Sequence, residues 1–185
     1  MTIKPPSLEQ AGAVIDFWTE LGPEGWFARN DDVDRRFREQ FHTLHFAAAA
    51  GHCAHWLEDA HGGLALLLLL DQYPRNAWRG TGHMFATDGL ARHYARLYLA
   101  GGLVDRIAPE LRLFACLPFV HSESMEDQEF ALEVYARHAP EQLKWARHHC
   151  DIIRRFGRFP HRNASLGRRS TPAEQAYLDE GGFTG

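Results

Sequence analysis

Long apolar runs are missing from this sequence. The longest, 64–70, spans seven residues, against the roughly 20 that a membrane-crossing helix requires. With no membrane span and no apolar leader near the start, a cytoplasmic location is the expectation. Cysteine is equally scarce. Cys53, Cys116 and Cys150 are odd in number and far apart. No CxxC or finger spacing exists, so neither a disulfide framework nor a structural zinc site is expected, and no cofactor is implied. Buried thiols in a reducing compartment account for them. The P-loop, GxGxxG, HExxH and GxSxG signatures are also absent, which removes the commonest nucleotide, zinc-protease and serine-hydrolase readings. Neither sign of charge dominates: 20 Lys and Arg stand against 24 Asp and Glu.

What is present is helical periodicity over 185 residues, a length suited to one domain, 1–185. Ser7 followed by Gln10 reads as a capping box, and apolar residues at 8, 11, 14, 15 and 18 mark one helix face up to Gly22-Pro23. A second helix begins near Asp31 or Asp32. It buries Val33, Phe37, Phe41, Leu44 and Ala48, and stops at Gly51. After His61-Gly62-Gly63 the Leu-rich run reads as a buried helix ended by Pro74, because Leu and Ala are poor strand formers. Further helices are expected over 83–100, from Pro109 to Pro118, from Met125 to Arg137, and from Pro140 to about Arg155. Ser124 with Asp127 reads as a capping signature, and Thr171-Pro172-Ala-Glu174 as a capped start to a last helix. No stretch alternates with period two, so the fold class is all-α with short breaks between packed helices.

Charge is uneven along the chain. Residues 147–169 hold seven arginines against one acid, Asp151, and such a local basic patch attracts anions. Two stretches echo each other: Asp71-Gln-Tyr-Pro-Arg75-Asn76 followed by Arg79, and Phe156-Gly-Arg158-Phe-Pro-His161-Arg162-Asn163. Each has an aromatic residue, proline, arginine and asparagine, with one histidine inserted in the second. An architectural role is open to both, since Arg near a helix end caps carbonyls. Paired guanidiniums also grip carboxylates and phosphates in forked geometry. On that reading Arg75 and Arg162 lie within about 10 Å of each other, facing a cavity bordered by His121 and His161. Asp71, which closes an apolar segment, is expected to be paired with an arginine of the second motif.

His121 and Glu123 form a His-x-Glu pair. The zinc-deaminase reading fails for want of Pro-Cys-x-x-Cys. An acid/base pair remains open, as does a metal set with Asp127 and His161; the expectation adopted is no metal. RNA binding by 147–169 is disfavoured, since no known RNA-binding module is legible.

These motifs, taken with Arg79-Gly80, Phe85-Ala-Thr-Asp88, Leu117-Pro-Phe, Asp127-Gln128, Leu166-Gly-Arg168 and Ser170-Thr-Pro-x-Glu174, resemble in order the bacterial domain-of-unknown-function 924 family. The resemblance runs from about residue 14 to residue 178. It implies a tetratricopeptide-like, right-handed stack of antiparallel helix hairpins and no known activity. The functional expectation is a binding module for a small anionic ligand or a carboxylate-bearing peptide. Its ligand-binding residues would be Asp71, Arg75, Asn76, Arg79, Arg158, Arg162 and Asn163. The alternative is a hydrolase or lyase of a phosphorylated or carboxylated small molecule, with His121, Glu123 and His161 as catalytic candidates.

Overall fold

A computed structural model describes residues 5–184; residues 1–4 and 185, the two ends of the expected domain, lie outside it. No strand occurs among the described residues, and none of their helices is long and apolar enough to cross a membrane. Helix α1 spans Leu8–Trp26, and the Ser7 amide donates to Gln10 Oε1 at its start. Gly22, at φ 64°, kinks it where the sequence suggested an end. Helix α2, Asp31–Ala49, is capped by Asn30, whose side-chain oxygen accepts from the Asp32 and Val33 amides. The apolar faces of α1 and α2 meet through stacked Phe17 and Phe37, 5.0 Å between centroids.

Helix α3, Ala60–Leu67, includes Gly62 and Gly63, which the sequence reading had left outside it. Both are there because neighbours come too close for a side chain. A β-carbon on Gly63 would lie 2.5 Å from the Tyr98 ring, and one on Gly62 2.7 Å from the Trp56 carbonyl oxygen. Tyr98 sits in α5, Asp88–Ala100, and its hydroxyl donates to the Ala60 carbonyl.

Pro74 does not end the Leu-rich helix. α3 widens into a π-helical turn, Leu68–Gln72, and continues as α4, Tyr73–Ala77. The Tyr73 amide reaches back five residues to the Leu68 carbonyl. Proline has no N–H to offer the carbonyl four residues before it, and that carbonyl, on Leu70, accepts the Thr87 hydroxyl instead. His45 Nδ1 bonds the Leu69 carbonyl at 2.8 Å. The widened turn is thus satisfied by side chains from α2 and from the loop before α5, which lets it stay buried.

The expected helix over 83–100 is divided into a 3₁₀ turn, Gly82–Phe85, and α5. Pro109 opens only a short 3₁₀ turn, and α6, Leu113–Val120, runs through Pro118. Gln128, buried in α7 (Met125–His138), donates to the Val120 and Ser122 carbonyls at that helix's end. Ser124 makes no side-chain cap. Asp127 instead accepts from Ser122 Oγ at 2.6 Å and pairs with Arg92 and Arg96. Helix α8 spans Leu143–Phe156, and Gly157 ends it at φ 70°. Helix α9, Pro172–Asp179, carries the expected capping box between Thr171 and Glu174.

α7 packs on both α6 and α8, whereas α1 packs on α3 and α2 on α4. The main apolar cluster runs from α1 to Ala146 of α8, and a smaller one joins Ile152, Ile153 and Phe159 with Met125, Phe156, Tyr177 and Phe183. The π turn, the end of α6 and the loop after α8 come together at the polar node described next.

Candidate functional site

The widened turn aims the Asp71 carboxylate into the molecule, where it is 1% exposed. It accepts from Gln72 Nε2 at 2.6 Å, lies 3.4 Å from Arg75 Nη1, and bonds His121 Nδ1 at 2.7 Å. His121 stands at the end of α6, just beyond Val120. Burial pushes the Asp71 carboxyl up, but Arg75 and His121 overcome this and hold it well below the usual carboxylate range. For His121 the balance is reversed. Burial and Arg75 lower its pKa against the pull of Asp71, so the neutral ring dominates near pH 7. With Asp71 accepting, the neutral tautomer carries its proton on Nδ1, leaving a lone pair on Nε2. No protein group among the described residues bonds Nε2, and the side chain is 14% exposed.

Asp88, at the first turn of α5, links the two echo motifs. Arg75 Nη2 lies 3.0 Å from its Oδ1 and 3.2 Å from its Oδ2, and Arg162 Nη1 lies 3.6 Å from Oδ2. Arg75 and Arg162 therefore meet as the echo suggested, but on an internal carboxylate. Arg75 also donates to the Asp71 carbonyl, the capping role open to it from sequence. Asp71, for its part, takes its direct arginine partner from its own helix.

Arg162 is held differently. Its residue is 7% exposed. The guanidinium carbon lies 4.6 Å from the Phe85 ring centroid and 4.5 Å from that of Phe159. Its ion pair with Asp88 is long, and its Nε has no hydrogen-bond partner among the described residues. Burial, opposed by Asp88, lowers its pKa to about 10, which leaves it a cation near neutrality. Beside it, His161 Nδ1 is also buried without a partner. Burial and the Arg162 charge drive the His161 pKa down to about 3.

Glu123 does not orient His121. Its carboxylate takes a two-bonded grip from Arg168, at 2.7 and 2.9 Å, and accepts the Phe159 amide at 2.8 Å. Burial would raise its pKa, but those bonds outweigh burial and hold it low. The carboxylate hydrogen-bonded to His121 is that of Asp71. Arg158 and Asn163 lie in another node: Arg158 binds Glu174 at 2.6 and 2.8 Å, and Asn163 reaches Ser170 and Glu174, fastening α9. Asn76 and Arg79 hold Asp34 of α2, at 2.6 Å and at 3.0 and 3.1 Å. They border a hollow of about 500 Å³ with Arg29, Arg35 and Arg38. The structure thus gathers Asp71, Arg75, His121, His161 and Arg162 with Glu123 adjoining, and sets Asn76, Arg79, Arg158 and Asn163 apart. No group of three or more His, Cys, Asp or Glu able to hold a metal occurs among the described residues.

Sequence reasoning missed Asp88, Phe85, Phe159, Gln72 and Arg168 as parts of these nodes. Asp88 stood in the Phe85-Ala-Thr-Asp88 motif, but an acid at a helix start is explained equally well by the helix dipole.

A family model described as a bacterial protein of unknown function (DUF924) matches residues 14–182, and the chain belongs to that family. The chain is also similar to a solved structure, a protein of unknown function, ATU0120, from Agrobacterium tumefaciens. The two share 43% identity over 95% of this chain and 99% of that one, with a TM-score of 0.91. No curated protein matches.

Proposed function

We propose that this DUF924-family chain binds a small molecule bearing an anionic group, with Arg162 as the anchor. The observation that carries the proposal is the state of that arginine. A buried guanidinium normally has its N–H groups and its charge satisfied, because leaving them unmet is costly. Among the described residues Arg162 Nε has no partner, and the one carboxylate paired with Arg162, Asp88, lies 3.6 Å away and closer to Arg75. A carboxylate or phosphate oxygen would accept from that Nε–H in a charge-assisted hydrogen bond.

The neighbouring His121–Asp71 pair favours a second reading, acid/base chemistry on the bound molecule, because a histidine fixed through Nδ1 with Nε2 open is the usual form of a general base. Direct sequential packing of α6, α7 and α8 supports a tetratricopeptide-like stack of hairpins as the frame. Isothermal calorimetry against carboxylates and phosphates tests the anchor. The wild type should bind one of them, and Arg162→Lys should weaken binding at least tenfold while keeping the fold, since lysine loses the planar fork. A wild type that binds nothing on the panel, with Arg162→Lys only less stable, would reduce Arg162 to an architectural residue.

A further inference from the structure

The geometry points to a second, separate site: the hollow between the start of α2 and the turn after α4 binds a phosphate monoester of a small molecule. This does not rest on the anchor reading of Arg162, because other residues line the hollow. Its volume of about 500 Å³ lies within the roughly 300–1,000 Å³ usual for small-molecule sites. Asn76 and Arg79, expected from the sequence to bind ligand, form part of its wall. Bonds within the chain fix that wall. Asp34 of α2 accepts from Asn76 Nδ2 at 2.6 Å and from Arg79 Nε and Nη2 at 3.0 and 3.1 Å, which ties α2 to the end of α4. Beyond Trp78 the chain reverses at Gly80, where φ is 80°, and Thr81 Oγ1 donates to the Trp78 carbonyl at 2.8 Å. Ala77 and half-buried Trp78 give the hollow an apolar side.

Charge selects the ligand class. Arg29, Arg35, Arg38 and Arg79 line the hollow against two aspartates, Asp31 and Asp34. Asp32 pairs with Arg35 from outside the lining. One positive charge is left over, and it belongs to Arg38, which is exposed and forms no ion pair among the described residues. Two more guanidiniums are held loosely. Arg29 lies 3.6 Å from Asp31 and Arg35 lies 2.8 Å from Asp32, with all four side chains more than half exposed. Such pairs contribute little in water, so either arginine can turn to a ligand while its carboxylate stays hydrated. Arg79, fixed on Asp34, stays as wall. The available donors come from the loop before α2 and from two positions one turn apart on α2. A carboxylate presents two oxygens in one plane. A phosphate monoester presents three terminal oxygens and a charge of about −1.5 to −2, and so meets guanidiniums arriving from several directions. The phosphate group alone fills only a fraction of the hollow, and the organic body it carries lies against Ala77 and Trp78.

Calorimetry of the full-length protein at low ionic strength tests this, with inorganic phosphate, ribose 5-phosphate, adenosine 5′-monophosphate, ribose and glutarate as probes. At least one of the two phosphate esters should bind more tightly than inorganic phosphate and about tenfold more tightly than glutarate. Ribose should not bind. Arg38→Gln, at an exposed position, should keep the fold and weaken ester binding about tenfold, and Arg35→Gln should weaken it in the same direction. Arg162→Lys should leave the ester affinity within about twofold of wild type, since the two sites share no residue. A second measurement needs no variant to fold: in ¹⁵N-labelled wild type, the backbone amide resonances of residues 78–81 should shift and saturate with the ester. Failure of both esters to bind overturns the proposal, as does an Arg38→Gln affinity equal to wild type or an unmoved set of amides at 78–81. Glutarate binding as tightly as the esters overturns the phosphate class. Ester binding lost in Arg162→Lys but kept in Arg38→Gln overturns this site and moves the anion to the Arg162 node.

Discussion

Replacing Asp71 by asparagine changes almost no volume and removes one charge at the centre of the node. In the wild type that carboxylate, 1% exposed, meets Gln72 at 2.6 Å, His121 at 2.7 Å and Arg75 at 3.4 Å. An amide oxygen can still accept one of these bonds, but Arg75 and Arg162 are left to share Asp88. Breaking a buried pair from one side costs about 3–5 kcal/mol, because the surviving charge stays buried. For a chain of this size each kcal/mol is worth roughly 2–4 °C, so the melting temperature should fall by about 6–20 °C. Urea unfolding monitored by circular dichroism gives the free energy directly. The double variant Asp71→Asn with Arg75→Met removes the stranded cation and should recover at least half of the loss. A single-variant loss below about 1 kcal/mol, or no recovery in the double variant, would refute the account of Asp71 as the counter-charge of a buried arginine.

Acidification from pH 7 to 5 should destabilise the fold through its histidines. Burial lowers His149 to about 4 and His161 to about 3, so the unfolded chain takes up protons first below the ordinary value of 6.5. Their stabilising contribution is complete above that value and is lost progressively as pH falls. Between pH 7 and 5 the loss should approach about 2 kcal/mol for each histidine; a flat stability curve over that window would contradict their buried, neutral state. Thr87→Val should cost about 1–3 kcal/mol by orphaning the Leu70 carbonyl that Pro74 cannot serve. Urea midpoints check this, and no loss would mean the carbonyl finds another donor.

Helix class was legible because the apolar faces of α1, α2, α5, α7 and α8 repeat at helical spacing. The breaks were harder to place. Pro74 and Pro118 look like stops because proline removes one backbone donor and resists continuation. A single missing bond is tolerable inside a packed core when a side chain supplies the partner, as Thr87 does for Leu70. Gly62 and Gly63 read as a loop, and their true reason, contact with Trp56 and Tyr98, depends on residues brought in by the fold. The site shows the same division. Two echo motifs named Arg75 and Arg162, but only the tertiary structure shows that Asp88 joins them. His121 was legible as a candidate base, whereas its orienting acid lay 50 residues away at Asp71 and not two residues on at Glu123. Local spacing cannot reveal such a pairing.

The Arg162 side chain can be observed directly. In ¹⁵N-labelled protein, the Nε–H resonance of Arg162, assigned by its absence in Arg162→Lys, reports a buried donor that has no partner among the described residues. On titration with butyrate at neutral pH and constant ionic strength, that resonance should shift and saturate, while the Nε–H signal of Arg158, whose Nε already donates to Glu174, stays in place. An Arg162 resonance that does not move, or that drifts without saturating alongside every other arginine, would contradict the claim that this residue anchors an anion.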